Sequence, residues 1–299
     1  MRRLLYFARV ALGGHVFNAL WRPRLQRRQA RGRAIWRASK AYLRPYVKAA
    51  EAVPEDRPDR TAPRRVFTLW LQGPEQAPPV IRCCLDSIRR YAGAELVVLD
   101  GKTVFDWITL SDHVVQLWKT GKMRAAHFAD ICRVELLYRY GGVWMDATSY
   151  LDAPLPEWLW EADFFVYKGG EVGLGAYAGI QNCFIRAAKG SYLLKVWREA
   201  MRAYWAAEDS TVDYFVHQLL FSQAVAANPR AAELYAQMPS LDQDPIHRLW
   251  HDYGDKPYDE ALLHEVCSQA LFQKTSYKGA SATDPVPGSI IDHILAPYR

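Results

Sequence analysis

Apolar residues fall along this chain in two alternating patterns. Residues 1–50 are dominated by Ala, Arg and Leu with little proline, and Leu4, Leu5, Phe7, Ala8, Ala11 and Leu12 share one helical stripe, so this stretch reads as helical. Glu51–Arg65 breaks the pattern: Pro54, Pro58 and Pro63 stand among charges, fixing φ and removing donors, which makes a linker. The short β-rich run Val66–Leu71 then reads as a buried strand, ended by Gln72-Gly73-Pro74. Pro79–Tyr91 carries Ile81, Leu85 and Ile88 at helical spacing, and Glu95–Leu99 is a second buried strand. Strand, helix and strand in that order open an α/β fold with a parallel sheet. Helices are predicted over Asp112–Thr120 and Met123–Tyr140, the second stopping at Gly141-Gly142, where glycine suits a left-handed cap. Val143–Met145 follows as a strand. Further on come strands at Phe164–Tyr167 and Asn182–Arg186, a glycine-rich loop at Lys168–Gly175 between them, and helices over Ser191–Trp205 and Tyr214–Ala227.

The 299 residues suffice for one large domain with an appendage. The division read here is a basic helical arm and Pro-rich linker over 1–63 and an α/β domain over 64–299. Charge sharpens that division. The net charge is +6, but residues 1–65 hold 17 Lys and Arg against 4 Asp and Glu, whereas the remainder holds 21 against 28. A nucleic-acid-binding body is therefore disfavoured, because the basic footprint is confined to one end. Five cysteines with no CxxC pair read as free buried thiols in a reducing compartment. Leu4–Leu20 is interrupted by Arg9, His15 and Asn18, too broken for a membrane span, and no small-residue cleavage site follows it. A basic amphipathic segment of this kind suits the surface of an anionic membrane; the alternative is a solvated basic helix packed on the body. The expected location is the cytoplasm, peripheral on the inner face of the cell membrane.

Candidate chemistry concentrates between residues 126 and 148. Asp130 and Arg133 are three apart and share a helix face. That helix runs into a strand whose end carries Asp146, and ligands of open α/β sheets bind beyond the carboxyl ends of strands. A carboxylate there suits a hard cation, Mg²⁺ or Mn²⁺, bridging phosphate oxygens and stabilising a departing diphosphate. Asp130 suits sugar hydroxyls, and Arg133 either orients Asp130 or forks onto a phosphate. Taken singly, Asp130 and Arg133 also fit an exposed helical pair, and Asp146 a turn residue.

The string Ala126-His127-Phe128-Ala129-Asp130 through Gly141-Gly142-Val143-Trp144-Met145-Asp146-Ala147-Thr148 resembles the sugar-binding region of the capsular polysaccharide synthesis glycosyltransferases, relatives of the family-32 glycosyltransferases. Trp70-Leu71-Gln72-Gly73 resembles that family's first strand, and Asp213–His217 and Lys274–Lys278 resemble two later blocks. The resemblance spans roughly residues 64–280 and leaves the arm outside. It implies a GT-A-like mixed sheet flanked by helices and a nucleotide-sugar donor. It also implies a saccharide or lipid-linked acceptor and transfer with retention of anomeric configuration. Asp130 and Asp146 become the implied catalytic residues, with donor contacts from Trp70, Gln72, Asp130, Arg133, Gly142 and Lys278. The wider superfamily carries Asp-x-Asp, whereas here Thr148 stands in the third place, a poor metal ligand. His217 is the candidate second ligand beside Asp146, or else a satisfied helix histidine.

Other features leave alternatives. Trp70 either stacks on a base or is a buried strand Trp. Lys278 either neutralises diphosphate or is a surface lysine. Gly173-Leu174-Gly175 reads as a flexible loop over the donor site. Beside the transferase reading stand two others: a nucleotide-sugar-binding pseudoenzyme, motivated by Thr148, and a tethering protein of a polysaccharide assembly complex that uses the basic arm.

Overall fold

A computed structural model describes the backbone of residues 1–18, 24–169 and 176–299. Most of the glycine-rich loop read at Lys168–Gly175, including Gly173-Leu174-Gly175, lies outside the described residues, as does the Leu12 side chain of the N-terminal stripe. The chain forms a mixed α/β fold: a five-stranded sheet flanked by helices. The strands are β1 (Arg65–Leu69), β2 (Glu95–Leu99), β3 (Gly142–Met145), β5 (Phe164–Lys168) and β6 (Ile180–Ala187), in the order β2-β1-β3-β6-β5. The first three run parallel, and β6 and β5 antiparallel to their neighbours. A separate two-stranded ladder pairs β4 (Ser149–Tyr150) with β7 (Gln273–Lys274). These two-residue strands are too short for any periodicity, and the sequence pattern does not reveal them.

Six helices position the site: α1 (Arg2–Asn18), α2 (Arg24–Val47), α3 (Pro79–Tyr91), α4 (Ala125–Tyr140), α5 (Tyr192–Trp205) and α6 (Val216–Ala227). α3 starts with Pro79 inside its first turn, where no amide is needed, and buries Val80, Ile81, Cys84, Leu85 and Ile88 along one face. α4 differs. Every residue from Ile131 to Leu137 is buried, including Arg133 and Glu135, so it is an interior helix with no water-facing stripe. It ends on Gly141 (φ 68°) and Gly142 (φ 112°). A Cβ on Gly141 would lie 2.7 Å from the Lys189 amide, and one on Gly142 2.6 Å from the Arg65 carbonyl. Only glycine lets α4 turn this sharply into β3.

The boundary at residue 63 separates charge but not packing. Ile35, Ala38, Tyr42, Leu43 and Tyr46 of α2 belong to the same continuous core as the sheet and as α5 and α6. Burial of Ile35 or Leu43 contributes about 1.5–3 kcal/mol each. Polar ties fasten the arm as well. Glu208 accepts from Arg3 (2.6 Å), from the Tyr42 hydroxyl (2.7 Å) and from the Tyr46 hydroxyl. Gln223 donates to the Ser39 hydroxyl at 2.6 Å, and Asn228 to the Ala50 carbonyl at 3.0 Å. In α1, Tyr6 is buried against Tyr42, while Leu4, Leu5 and Phe7 are exposed. The apolar stripe read in the sequence therefore faces outward, and the helix docks through Tyr6. All five cysteines are free and buried.

Candidate active site

β1 and β3 are parallel, so their carboxyl ends open on the same sheet edge, where Trp70 and Asp146 follow them. β6 runs the other way and brings its beginning to that edge: Asp146 donates its amide to the Cys183 carbonyl at 2.9 Å, next to Asn182. α4 lays Asp130 and Arg133 beside these ends, and the β4–β7 ladder delivers Lys274. Together they line a cleft of about 720 Å³. Two larger grooves elsewhere are edged by solvent-facing pairs, Arg60–Asp163 at 2.7 Å and His264–Asp152 at 3.1 Å.

Asp130 is 7% exposed and has a partner on each oxygen. Its Oδ1 accepts from Asn182 Nδ2 at 2.8 Å and lies 3.2 Å from Arg133 Nη2. Its Oδ2 lies 2.7 Å from His217 Nδ1. His217 is fully buried, and its Nε2 accepts from the Trp205 indole N–H at 2.8 Å. An indole nitrogen only donates, so Nε2 carries no proton and the proton of the ring sits on Nδ1, pointing at Asp130. Burial pushes the Asp130 carboxyl up, but the charge of Arg133 and the His217 contact outweigh it and hold it below its ordinary value of 3.8. Arg133 is fixed in turn by the Ala129 carbonyl at 3.3 Å and by the Asn182 carbonyl.

Asp146 is surrounded differently. Oδ1 accepts from Trp144 Nε1 at 2.9 Å and lies 3.3 Å from Arg133 Nη2. Oδ2 accepts from Lys274 Nζ at 2.9 Å, and the same ammonium donates to the Thr148 hydroxyl. Burial pushes Asp146 up, while Lys274 and Arg133 hold it below the usual carboxylate range. Lys274 answers with the opposite shift: burial lowers it, and Asp146 more than restores it.

These donor sets bear on the divalent cation expected at Asp146 and His217. Both nitrogens of His217 are engaged on the far side of Asp130, so it offers Asp146 no lone pair. A cation at Asp146 would meet the Lys274 ammonium, and unit charges 4 Å apart repel by about 4 kcal/mol even at an effective dielectric near 20. Among the described residues, no group of three His, Cys, Asp or Glu side chains is arranged to hold a metal ion. The residues present do not fit one.

A family model described as capsular polysaccharide synthesis protein matches residues 25–294. The chain belongs to this family. The match begins within α2, so the second arm helix, left outside by the sequence resemblance, is part of the family's own fold. Glycosyltransferase afumC of Aspergillus fumigatus is 32% identical over 134 residues, 40% of this chain and 33% of that protein. O-glycosyltransferase braB of Annulohypoxylon truncatum is 25% identical over 176 residues, 54% of this chain and 42% of that protein. The chain thus spans about a third to two-fifths of the length of the curated relatives it matches. Among solved structures, PaToxG glycosyltransferase aligns over 81% of this chain and 95% of its own, at 12% identity and a TM-score of 0.40.

In this member of the capsular polysaccharide synthesis family the remaining sequence candidates divide. Trp70 lines the cleft, with Tyr277 edge-on at 5.1 Å, and its buried indole N–H has no partner. Gln72 is exposed and outside the cleft lining. Gly142 sits at the opposite end of β3 from Asp146, where it lets the strand pass Arg65. Lys278 is exposed over the Tyr277 ring at 5.4 Å, and the basic group that reaches the site is Lys274, four residues earlier. Residues missed by sequence reasoning include Asn182, Gln218 and His247, all lining the cleft. Gln218 donates to Asn182 Oδ1 at 3.0 Å while its own buried Oε1 has no partner. The motif block carries a signal for Lys274, whereas Asn182, Gln218 and His247 are set by tertiary placement.

Proposed function

We propose that the cleft moves a glycosyl group from a nucleotide-sugar donor to a saccharide or lipid-linked acceptor during synthesis of a surface polysaccharide. Asp130 carries this reading. It is an ionised carboxylate at the cleft wall, oriented by His217, Asn182 and Arg133, with geometry left for a substrate hydroxyl to donate to it. Beside it the unpaired Gln218 Oε1 accepts a second hydroxyl, and the Trp70 indole N–H supplies a donor; each buried polar atom left unpaired costs about 1–3 kcal/mol, which a bound sugar nucleotide would offset. Two matched relatives bear glycosyltransferase names, in agreement. Asp130 and Asn182 would orient the sugar, and Arg133 with Lys274 would face the developing charge of the leaving phosphate. Retention of configuration is the expected outcome, checked by NMR of the anomeric proton in the first product formed.

The exposed Met1, Leu4, Leu5 and Phe7 of α1, with Arg2 and Arg9 between and beside them, suit contact with an anionic lipid surface. No helix among the described residues is long and apolar enough to cross a membrane. Deleting residues 1–50 would remove core side chains, so the fair test is the triple variant Leu4→Ser, Leu5→Ser, Phe7→Ser. It is expected to lose co-sedimentation with phosphatidylglycerol vesicles while keeping its melting temperature. Unchanged co-sedimentation removes the membrane role.

The transferase reading is tested by melting-temperature shifts with UDP-, GDP- and CMP-sugars, followed by product analysis with the class that binds. One class is expected to raise Tm and to be turned over. Binding without transfer or hydrolysis would make the protein a sugar-nucleotide-binding pseudoenzyme. No shift with any class, from folded protein, would favour the tethering role.

A further inference from the structure

The two ends of Asp146-Ala147-Thr148 meet at one atom. Lys274 Nζ lies 2.9 Å from Asp146 Oδ2 and donates to Thr148 Oγ1, so a single ammonium bridges the first and third residues of the tripeptide. In the Asp-x-Asp arrangement of the wider superfamily those two positions are the carboxylates. The backbone fixes the bridge. Ser149 pairs with Lys274 in the β4–β7 register, and the Thr275 amide donates to the Thr148 carbonyl at 2.8 Å. Lys274 and Asp146 are about a quarter exposed, both on the cleft wall, and an ammonium with three donors spends two of them here.

Charge balance explains why Thr148 and Lys274 occur together. Two carboxylates match a divalent cation. One carboxylate and one hydroxyl match a monovalent ammonium. Replacing the second aspartate by threonine removes the charge that a metal would need and keeps an acceptor that a lysine can use.

We infer that Lys274 Nζ occupies the place of a divalent cation and that this protein binds the diphosphate of its donor through Lys274 without a metal. The inference rests on the transferase reading above and specifies how that site treats its leaving group. In the transfer step the anomeric C–O bond to the diphosphate breaks and its electron pair stays on the diphosphate. The acceptor oxygen bonds to that carbon and gives up its proton to water. The third Lys274 donor and Arg133 face the charge left on the diphosphate, and no redox partner is needed.

The experiment is calorimetric titration of the full-length protein with UDP and with GDP, in EDTA and then in Mn²⁺ or Mg²⁺, followed by the same titration of variants. In the wild type, one nucleoside diphosphate is expected to bind in EDTA, with affinity changed less than about threefold by metal. Lys274→Met is expected to weaken it by about tenfold or more, the scale of a lost hydrogen bond to a charged group. Lys274→Arg should retain most of the affinity and guards against a folding failure in the methionine variant. The double variant Thr148→Asp, Lys274→Met restores two carboxylates without an ammonium and is expected to bind the diphosphate only with Mn²⁺. Wild-type binding that EDTA abolishes and Mn²⁺ restores overturns the inference and leaves the transferase reading standing. Binding of neither diphosphate, with or without metal, overturns the inference, and if CMP-sugars also fail to bind, the transferase reading falls with it.

Discussion

Asp130 and Asp146 lie on either side of Arg133 and share its charge, yet their remaining partners differ. Beyond Arg133, Asp130 is fixed by neutral donors: His217, itself oriented by Trp205, and Asn182, itself tied to Gln218. Asp146 is fixed mainly by charge, between Arg133 and Lys274. A carboxylate held by rigid neutral partners keeps its direction and its lone pairs, which suits the reading of hydroxyls. A carboxylate pinned between two cations serves to position those cations, which suits the handling of phosphate. One motif thus supplies two acids with different neighbours.

Removing each acid separates the two arrangements. Asp146→Ala leaves the buried Arg133 and the part-exposed Lys274 with Asp130 alone to offset them. It is expected to cost about 3–5 kcal/mol in urea unfolding and to abolish transfer. Wild-type stability in that variant would mean that the cation pair does not depend on Asp146. His217→Ala comes next. It strands Asp130 Oδ2 and the Trp205 indole N–H, and a loss of about 2–4 kcal/mol is expected. In His217→Gln, where part of that bonding is kept, turnover should fall further than donor affinity. Equal losses of both would place His217 in simple structural support.

Acid titration affects both acids together. Each native carboxyl lies below its ordinary value of 3.8, so each contributes stability that is complete above that value and is lost as pH falls below it. Unfolding followed against pH should steepen below about pH 4, and Asp130→Asn should flatten part of that fall. His247 acts over a higher window. Burial, with His251 and Lys274 adding to it, pushes its imidazole down to about 4 from 6.5. The unfolded chain therefore takes up this proton first, and the native state loses stability as pH drops from 6.5 towards 4. His247→Gln should reduce that slope, to which the His127 imidazole, also pushed down by burial, contributes, while leaving the fall below pH 4. Lys278→Ala, exposed and outside the cleft, is expected to change stability by less than about 0.5 kcal/mol and to leave donor binding intact.

The sheet and its helices were legible because burial imposes period and length. Val66–Leu69 and Val143–Met145 are short buried apolar runs, whereas Glu95–Leu99, read as buried, is an edge strand with only Leu99 buried, and α4 ends where Gly141-Gly142 says it must. Two things were not legible. β4 and β7 are two residues each, and the pairing of Ser149 with Lys274 spans 125 positions of chain, so no local pattern encodes it. The sequence therefore points to Lys278, while the cleft holds Lys274 of the same block. The arm misled for another reason. Its charge differs so strongly from the body's that α2 reads as an appendage, although Tyr42, Leu43 and Tyr46 complete the core. The motif block reads His217 as a metal ligand beside Asp146, whereas its partners, Trp205 and Asp130, meet it only in three dimensions.

The clasp of Arg3, Tyr42 and Tyr46 on Glu208 also constrains how the chain comes to be made. At roughly 5–20 residues per second, the ribosome finishes α2 about 10–30 s before it reaches residue 208. Throughout that interval the newly made α2 carries Tyr42, Leu43 and Tyr46 ahead of the Glu208 carboxylate that clasps the two tyrosines, with a dense run of arginines around them. The helix is translated well before its clasp, so a chaperone or a lipid surface that shelters it for those seconds would raise the yield of folded protein.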